Sequence, residues 1–297
     1  MPLHLNISMK PKTLHTAFGQ LILDLTPRYG AGEARSIARI VFEDAFGARQ
    51  PDQKMFTAQE EALFQEIRGR LLSGEPLQYV LGQADFYGFK FQVNPAVLIP
   101  RQETEELVAW VLDWLKSTDI QHPVVLDIGL GSGCIAVALK AKYPRIQLFG
   151  LEKSQASIEL ARKNAERLLK HGDFNFITGD ILERRDWTQL PMPDVIVSNP
   201  PYIPVQEKGL MQAHVLDHEP PLALFVDGDD PLLFYRTIAL FAKEKLRPGG
   251  ALFFECNEFN APAVAEMLHA GGFLQVELRK DLAGADRMVL AIRAEGK

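Results

Sequence analysis

Asp194-Val195-Ile196-Val197-Ser198-Asn199-Pro200-Pro201-Tyr202 is the stretch whose reading decides the fold. Asp194 to Ser198 is an apolar, β-branched run that reads as a buried strand, so Asn199 to Tyr202 sit where a strand of a parallel sheet ends. Open α/β sheets bind their ligands at that edge. The two prolines lack backbone N–H donors, and each residue before a proline is pushed into an extended conformation. The segment therefore offers carbonyls with little competition from donors. Asn199 adds a side-chain oxygen acceptor, and Tyr202 adds a flat ring that can lie against a planar group. A planar –NH2 with two hydrogens to donate matches such a site. A rigid strand-to-loop turn accounts for the quartet equally well when it is taken alone.

A second motif lies upstream. Val124 to Ile128 reads as a strand, Gly129-Leu130-Gly131-Ser132-Gly133 as a glycine-rich turn, and Ile135 to Tyr143 as a helix. Alternate glycines let the backbone pass close to a ligand. The dinucleotide fingerprint requires Gly-x-Gly-x-x-Gly, but here the third glycine, Gly133, comes one residue early and Cys134 stands where the fingerprint needs glycine. Gln147 to Glu152 reads as the next strand, ending in an acid able to accept both hydroxyls of a ribose. Asn175 to Asp180 reads as a third strand, ending in an acid placed to receive an adenine amino group. Together these features describe a nucleoside pocket, and with Asn199 to Tyr202 they describe methylation of an amino group.

On these motifs the chain resembles the class I S-adenosylmethionine-dependent methyltransferases, specifically the protein-glutamine methyltransferases of the HemK/PrmC type. The resemblance is carried by Gly74-Glu75-Pro76-Leu77-Gln78-Tyr79, Leu98-Ile99-Pro100-Arg101-Gln102-Glu103-Thr104-Glu105, the glycine loop, Asn199 to Ile203, and Glu219-Pro220 with Ala223-Leu224. Leu130 stands where that family commonly has Thr, Gln102 where it has Pro, and Glu152 where it has Asp. The resemblance implies a Rossmann-like α/β domain, with a seven-stranded, mostly parallel sheet and a C-terminal antiparallel hairpin. It implies S-adenosylmethionine as cofactor, S-adenosylhomocysteine as product, and the Gly-Gly-Gln glutamine of peptide chain release factors as the group modified. Carried over by position, it assigns cofactor contacts to Asp127, Gly129, Leu130, Gly131, Ser132, Gly133, Glu152, Asp180, Ile181 and Asn199. Catalysis falls to Asn199, Pro200 and Tyr202, and substrate contacts to the same residues with Pro201 and Arg101.

Composition narrows the setting. The chain has 297 residues, 47% of them hydrophobic, enough for two cores. Residues 1–82 carry nine basic and nine acidic groups, so the net charge of −6 lies entirely in residues 83–297. That balance argues against stable nucleic-acid binding, which depends on neutralising phosphates, and suits a partner with a basic surface. No run approaches the ~20 apolar residues of a membrane span, and Met1 to Lys12 has no signal-like apolar stretch, so a cytoplasmic protein is expected. A monomer is expected as well. The two cysteines, Cys134 and Cys256, fall at apolar positions and read as buried free thiols.

Three domain segments are expected. Residues 1–82 show three apolar stripes at helical spacing (Phe18, Leu21, Ile22, Leu25; Ile37, Ile40, Val41; Leu63, Ile67, Leu71, Leu72), punctuated by Pro27, Gly47 and Pro51. They form a helical bundle that reads either as a scaffold or, by the resemblance, as a docking domain for the release factor. Residues 83–99 alternate, are aromatic, and are split by Gly88, the signature of a hairpin linker. Residues 100–297 form the methyltransferase domain, with helices near Glu103–Lys116, Ser154–Lys170, Pro231–Leu246 and Ala261–Ala270. Strands are expected at Ala251–Cys256, Leu274–Arg279 and Arg287–Ile292. Ile203 to about Asp229 reads as a partly ordered lid, with Glu219-Pro220-Pro221 near its base. His214 and His218 have metal-ligand spacing but no companion cluster, so no metal site is expected.

Three rival readings remain at this level. An adenine-amino DNA or RNA methyltransferase would offer the same donor pair to Asn199 to Tyr202, but it needs a basic groove. A ribosomal-protein glutamine methyltransferase would share every catalytic residue. A nicotinamide-dependent oxidoreductase conflicts with the glycine spacing and has no use for Asn199 to Tyr202.

Overall fold

The structure is a computed structural model that describes residues 13–169, 174–206, 217–226, 228 and 230–295. It divides into two compact units, Met1–Gly82 and Gln83–Lys297.

The first unit contains α1 (Leu14–Phe46), α2 (Ala58–Ser73) and α3 (Leu77–Leu81). Thr13 and Thr57 open the first two helices with capping boxes; Glu60 returns a carboxylate oxygen to the Thr57 amide at 2.7 Å. Leu21, Leu25, Phe42, Phe64 and Leu71 are fully buried or nearly so. Two expectations need correction here. The chain stays helical through Pro27 and breaks instead at Gly30, whose φ of 77° and ψ of 160° only glycine adopts without strain. In α2 the buried stripe is Phe64, Ile67 and Leu71, while Leu63 and Leu72 are exposed, because the larger ring takes the inward position. The Gly74 to Tyr79 motif forms the corner after α2. Gly74 closes that helix at φ 95°, and Arg70 pairs with Glu75 through two bonds of 2.5 and 2.7 Å while also donating to the Tyr79 and Val80 carbonyls.

The second unit opens with a hairpin of β1 (Gln83–Phe86) and β2 (Phe89–Gln92), turned at Tyr87-Gly88 with both φ values positive. Then follow α4 (Gln102–Lys116), β3 (Val124–Ile128), α5 (Cys134–Lys142), β4 (Gln147–Glu152), α6 (Gln155–Leu168), β5 (Phe174–Thr178), β6 (Val195–Ser198), β7 (Ile203–Pro204), α7 (Pro221–Leu224), β8 (Phe225–Val226), α8 (Leu233–Lys245), β9 (Ala251–Glu255), α9 (Ala261–Ala270), β10 (Leu274–Lys280) and β11 (Asp286–Ile292). Seven strands form one sheet in the order β10-β11-β9-β6-β3-β4-β5; only β11 runs antiparallel to its neighbours. The fold class expected from the sequence is the one observed.

Both faces of this sheet are covered, which is why β3, β6 and β9 are buried along their whole length. Val125, Val195, Val197 and Phe253 face a core built with α4, α5 and α6, while Leu126, Ile128, Ile196 and Phe254 face one built with α8 and α9. Trp110 and Trp114 both meet Phe253 edge-on and belong to the first core. Cys256 is buried, Cys134 partly so, and both thiols are free. The expected lid is only partly irregular: β7 and β8 pair in parallel and α7 precedes β8. Residues 207–216, 227 and 229 of that segment, His214 among them, lie outside the described residues.

Candidate active site

From β3 the chain moves one way to β4 and β5, and from β6 it moves the other way to β9. The crevice between the carboxyl ends of β3 and β6 is therefore the switch point at which an open α/β sheet binds ligands. The register pairs Ile128 with Ser198, so the glycine loop and Asn199 leave the sheet side by side. The Ser198 hydroxyl donates to the Ile128 carbonyl at 2.6 Å and locks the two exits together.

Gly129, Gly131 and Gly133 all have positive φ, at 81°, 53° and 78°. A Cβ at Gly133 would lie 3.2 Å from Ala161 Cβ, so that glycine lets α5 and α6 approach each other, whereas a Cβ on Gly129 would meet nothing nearer than the Asn199 carbonyl at 4.0 Å. Leu130 turns inward, into space that exists because β4 carries Gly150; a Cβ there would stand 2.7 Å from Leu130 Cδ1. That is the structural place of the residue that departs from the family's usual Thr.

Glu152 ends β4. One of its oxygens accepts from the Gly131 amide at 3.0 Å and the other from the Ser154 amide at 2.8 Å, so the carboxylate fixes the loop opposite it as well as facing the crevice. Asp180 lies two residues beyond β5, which ends at Thr178 rather than at the acid as expected. Its backbone N–H is occupied by Asp186, and its carboxylate accepts from the Leu182 amide and pairs with Lys153 at 2.9 Å. Asp127 stands behind the loop at 1% exposure. One oxygen accepts from the Ala136 amide at 3.2 Å, the other has no hydrogen-bond partner among the described residues, and burial holds its carboxyl well above the usual range.

A cavity of about 590 Å³ occupies the crevice. Gly129, Leu130, Gly131, Ser132, Glu152, Asp180, Ile181, Asn199, Pro201 and Arg101 line it; Asp127, Gly133, Pro200 and Tyr202 do not. Pro200 is buried, and Tyr202 packs against the core beneath α8. Burial pushes the Tyr202 phenol up to about 12, aided by the nearby Glu255 charge.

Sequence reasoning missed three supports. Arg101 pairs with Glu219 at 2.5 Å, and Glu219, whose side chain is 1% exposed, also accepts from the Ile99 amide at 3.4 Å. The two residues belong to separate motifs 118 positions apart, and nothing in either predicts the pairing. Asn164, fully buried on α6, donates to the Ser132 and Gln92 carbonyls and so ties the glycine loop to β2. Thr104 donates to Glu255 at 2.6 Å directly behind Asn199. The one available signal was an acid closing the otherwise apolar strand Ala251 to Glu255. Among the described residues, no group of three or more His, Cys, Asp or Glu side chains could hold a metal ion.

A seven-stranded sheet with one reversed strand, carrying a glycine cradle and strand-end acids at its switch point, defines the second unit as a class I methyltransferase domain. Residues 109–229 match the Methyltransferase small domain family. A methyltransferase from Pyrococcus furiosus has the same fold, with a TM-score of 0.50 at 19% identity over 76% of this chain and 98% of that one. A release factor glutamine methyltransferase of Flavobacterium psychrophilum is 42% identical over 221 residues, spanning 74% of this chain and 76% of that protein. One of Bacteroides thetaiotaomicron is 38% identical over 270 residues, 89% of this chain and 95% of that protein. The chain belongs to the release factor glutamine methyltransferase family, as its motifs led us to expect.

Proposed function

We propose that this chain transfers a methyl group from S-adenosylmethionine to the side-chain amide nitrogen, N5, of the Gly-Gly-Gln glutamine in peptide chain release factors. The observation that carries the reading is the placement of Asn199 beside the glycine loop on one shared cavity.

The residues present suit the cofactor. The backbone at Gly129 and Gly131 is open to a ligand, since a Cβ at either would meet no atom closer than 4.0 Å. Glu152 takes the ribose hydroxyls, Asp180 the adenine amino group, and Ile181 with Leu130 the apolar surface of the nucleoside. Asp127 would support the cofactor indirectly, from behind the loop, where its carboxylate accepts from the Ala136 amide. Ser132 and Gly133 complete the turn. When bound, S-adenosylmethionine supplies an electrophilic methyl group.

The chain's own residues hold the acceptor. An amide nitrogen is a weak nucleophile because its lone pair is delocalised into the carbonyl, the resonance behind a rotation barrier of ~18–20 kcal/mol. The Asn199 side-chain oxygen and the Pro200 carbonyl accept its two hydrogens and fix the direction of the nitrogen, so orientation supplies much of the acceleration. As positive charge develops on that nitrogen, both acceptors bind the transition state more tightly than the neutral amide. With its phenol near 12, Tyr202 stays protonated at neutral pH and is not a base; its ring supports Asn199 and Pro200 from the core side. The proton leaves to solvent or to a carbonyl after transfer. Pro201 and Arg101, on the cavity wall, border the incoming glutamine.

Residues 1–82 dock the release factor in this reading, and the acidic second unit meets a basic surface on it. The hairpin, expected as a linker over 83–99, instead opens the second unit, with Phe86 and Phe91 in its core. The enzyme works as a monomer, without stable nucleic-acid binding, in the cytoplasm where a translation factor is its substrate. No described helix is long and apolar enough to cross a membrane.

The reading is tested with labelled S-adenosylmethionine and two purified acceptors, a release factor and adenine-containing DNA. Label on the release factor supports it. Label on DNA alone would mean that Asn199 to Tyr202 holds an adenine amino group instead.

A further inference from the structure

We propose that Thr104 and Glu255 are a positioning pair that holds the Asn199 amide with its oxygen turned toward the substrate; the inference rests on the acceptor role given to Asn199 above. Thr104 lies in the first turn of α4 and Glu255 ends β9, so the pair reaches Asn199 from two elements that contribute nothing else to the amide site. Both are buried, at 3% and 4% exposure. The Thr104 hydroxyl donates to Glu255 Oε2 at 2.6 Å, which leaves only its lone pairs for Asn199. Asn199 Nδ2 donates to Thr104 Oγ1 at 3.5 Å, and the Asn199 side chain is close enough to Glu255 to help hold its carboxyl down.

The orientation follows from donor and acceptor chemistry. An ionised carboxylate is acceptor-only, and a hydroxyl whose hydrogen is already engaged presents lone pairs. Both members of the pair therefore accept, and the –NH2 end of the Asn199 amide faces them. A reversed amide would bring its oxygen against two other acceptors and leave both –NH2 hydrogens unplaced. The planar side chain then presents Oδ1 on the side away from the pair; Asn199 and Thr104 both border the cavity.

The device depends on Glu255 being charged. The groups facing it are Glu103 on α4, Arg287 on β11, Tyr202 after β6, Tyr235 on α8, Cys134 on α5 and Cys256 beside it. Burial, with the Glu103 charge, pushes the Glu255 carboxyl up to about 7; the Thr104 bond and Arg287 oppose that rise. Protonation puts an O–H donor where Asn199 needs an acceptor, so the oriented state prevails above that pH and is lost as pH falls through it.

The test is steady-state methyl transfer to a purified release factor between pH 6 and 8.5, with wild type, Thr104→Val, Thr104→Ser, Glu255→Gln and Asn199→Ala. We expect wild-type kcat to fall on the acid side of about pH 7. In Glu255→Gln kcat is flat across this range and roughly three- to tenfold lower at pH 8, the effect of one weakened hydrogen bond. Thr104→Val loses a similar factor in kcat and Thr104→Ser restores it, while the KM for S-adenosylmethionine stays within about twofold, because neither residue holds the cofactor. Glu255→Gln keeps the side-chain shape, so its pH profile decides the matter even if Thr104→Val does not fold. Wild-type kcat and an unchanged acid limb in Glu255→Gln would overturn the proposal. Undiminished turnover in Asn199→Ala would instead overturn the acceptor reading on which it rests.

Discussion

Replacing Arg101 with alanine removes the partner of a carboxylate that has almost no access to water. Glu219 is 1% exposed in its side chain and, among the described residues, keeps only the Ile99 amide at 3.4 Å once the 2.5 Å ion pair is gone. Breaking a fully buried pair by deleting one partner costs about 3–5 kcal/mol. Arg101, however, is 37% exposed, and solvent screens that side of the bridge. A loss of about 2 kcal/mol is therefore expected. Glu219→Gln leaves a half-exposed guanidinium that water can solvate, so its cost is nearer 1 kcal/mol. The double variant Arg101→Ala with Glu219→Gln recovers part of the larger loss, since the buried group no longer carries charge. The bridge joins Pro100-Arg101 to Glu219-Pro220, and Pro100, Arg101 and Pro220 line the cavity, so kcat falls along with stability. Urea unfolding gives the global value, and hydrogen exchange at Asp217 to Val226 shows whether the cost is met by local opening. Arg101→Ala within about 0.3–0.5 kcal/mol of wild type with unchanged exchange, or Glu219→Gln more damaging than Arg101→Ala, would refute the reasoning.

Three further outcomes are expected. Glu152→Ala loses the acceptor for the Gly131 and Ser154 amides as well as the ribose contact, and calorimetry should show S-adenosylmethionine binding at least roughly tenfold weaker; unchanged affinity would exclude that contact. Gly150→Ala forces a Cβ to 2.7 Å from Leu130 and should cost about 1–3 kcal/mol, a penalty that Leu130→Ala partly relieves in the double variant; additive losses would show the contact to be idle. Asp194→Ala acts at the opposite end of the sheet, where the carboxylate accepts from the Val124 amide and pairs with Arg247 at 3.2 Å. It should lower stability by about 1–3 kcal/mol while kcat of the folded enzyme is kept, and a loss of kcat without a loss of stability would contradict that division.

What the sequence revealed and what it concealed have physical reasons. The strand, turn and helix around the glycine loop were legible because β-branched runs, alternate glycines and helical periodicity are local signals, and the structure places them within a residue or two of expectation. Arg101, by contrast, was assigned only a substrate contact, because its partner Glu219 is 118 residues away. Glu255 was hidden inside an apolar strand, and Thr104 inside a helix start whose acids already had a reason to be there. The break at Gly30 was misplaced at Pro27 because a proline often bends a helix without ending it, whereas φ 77° with ψ 160° ends one outright. Tyr202 was expected at the cavity wall, yet its ring packs into the core next to Glu255, which a motif read in one dimension does not distinguish.

The central claim is that Asn199 presents a glutamine amide for methylation. The most direct measurement is transfer of labelled methyl from S-adenosylmethionine to a purified release factor, to the same factor with its Gly-Gly-Gln glutamine changed, and to the intact factor with the Asn199→Ala enzyme. The account predicts label on the intact factor alone, with turnover by Asn199→Ala reduced by about 10²–10³ and cofactor affinity nearly unchanged. Label on the altered factor, or wild-type turnover by Asn199→Ala, would contradict it.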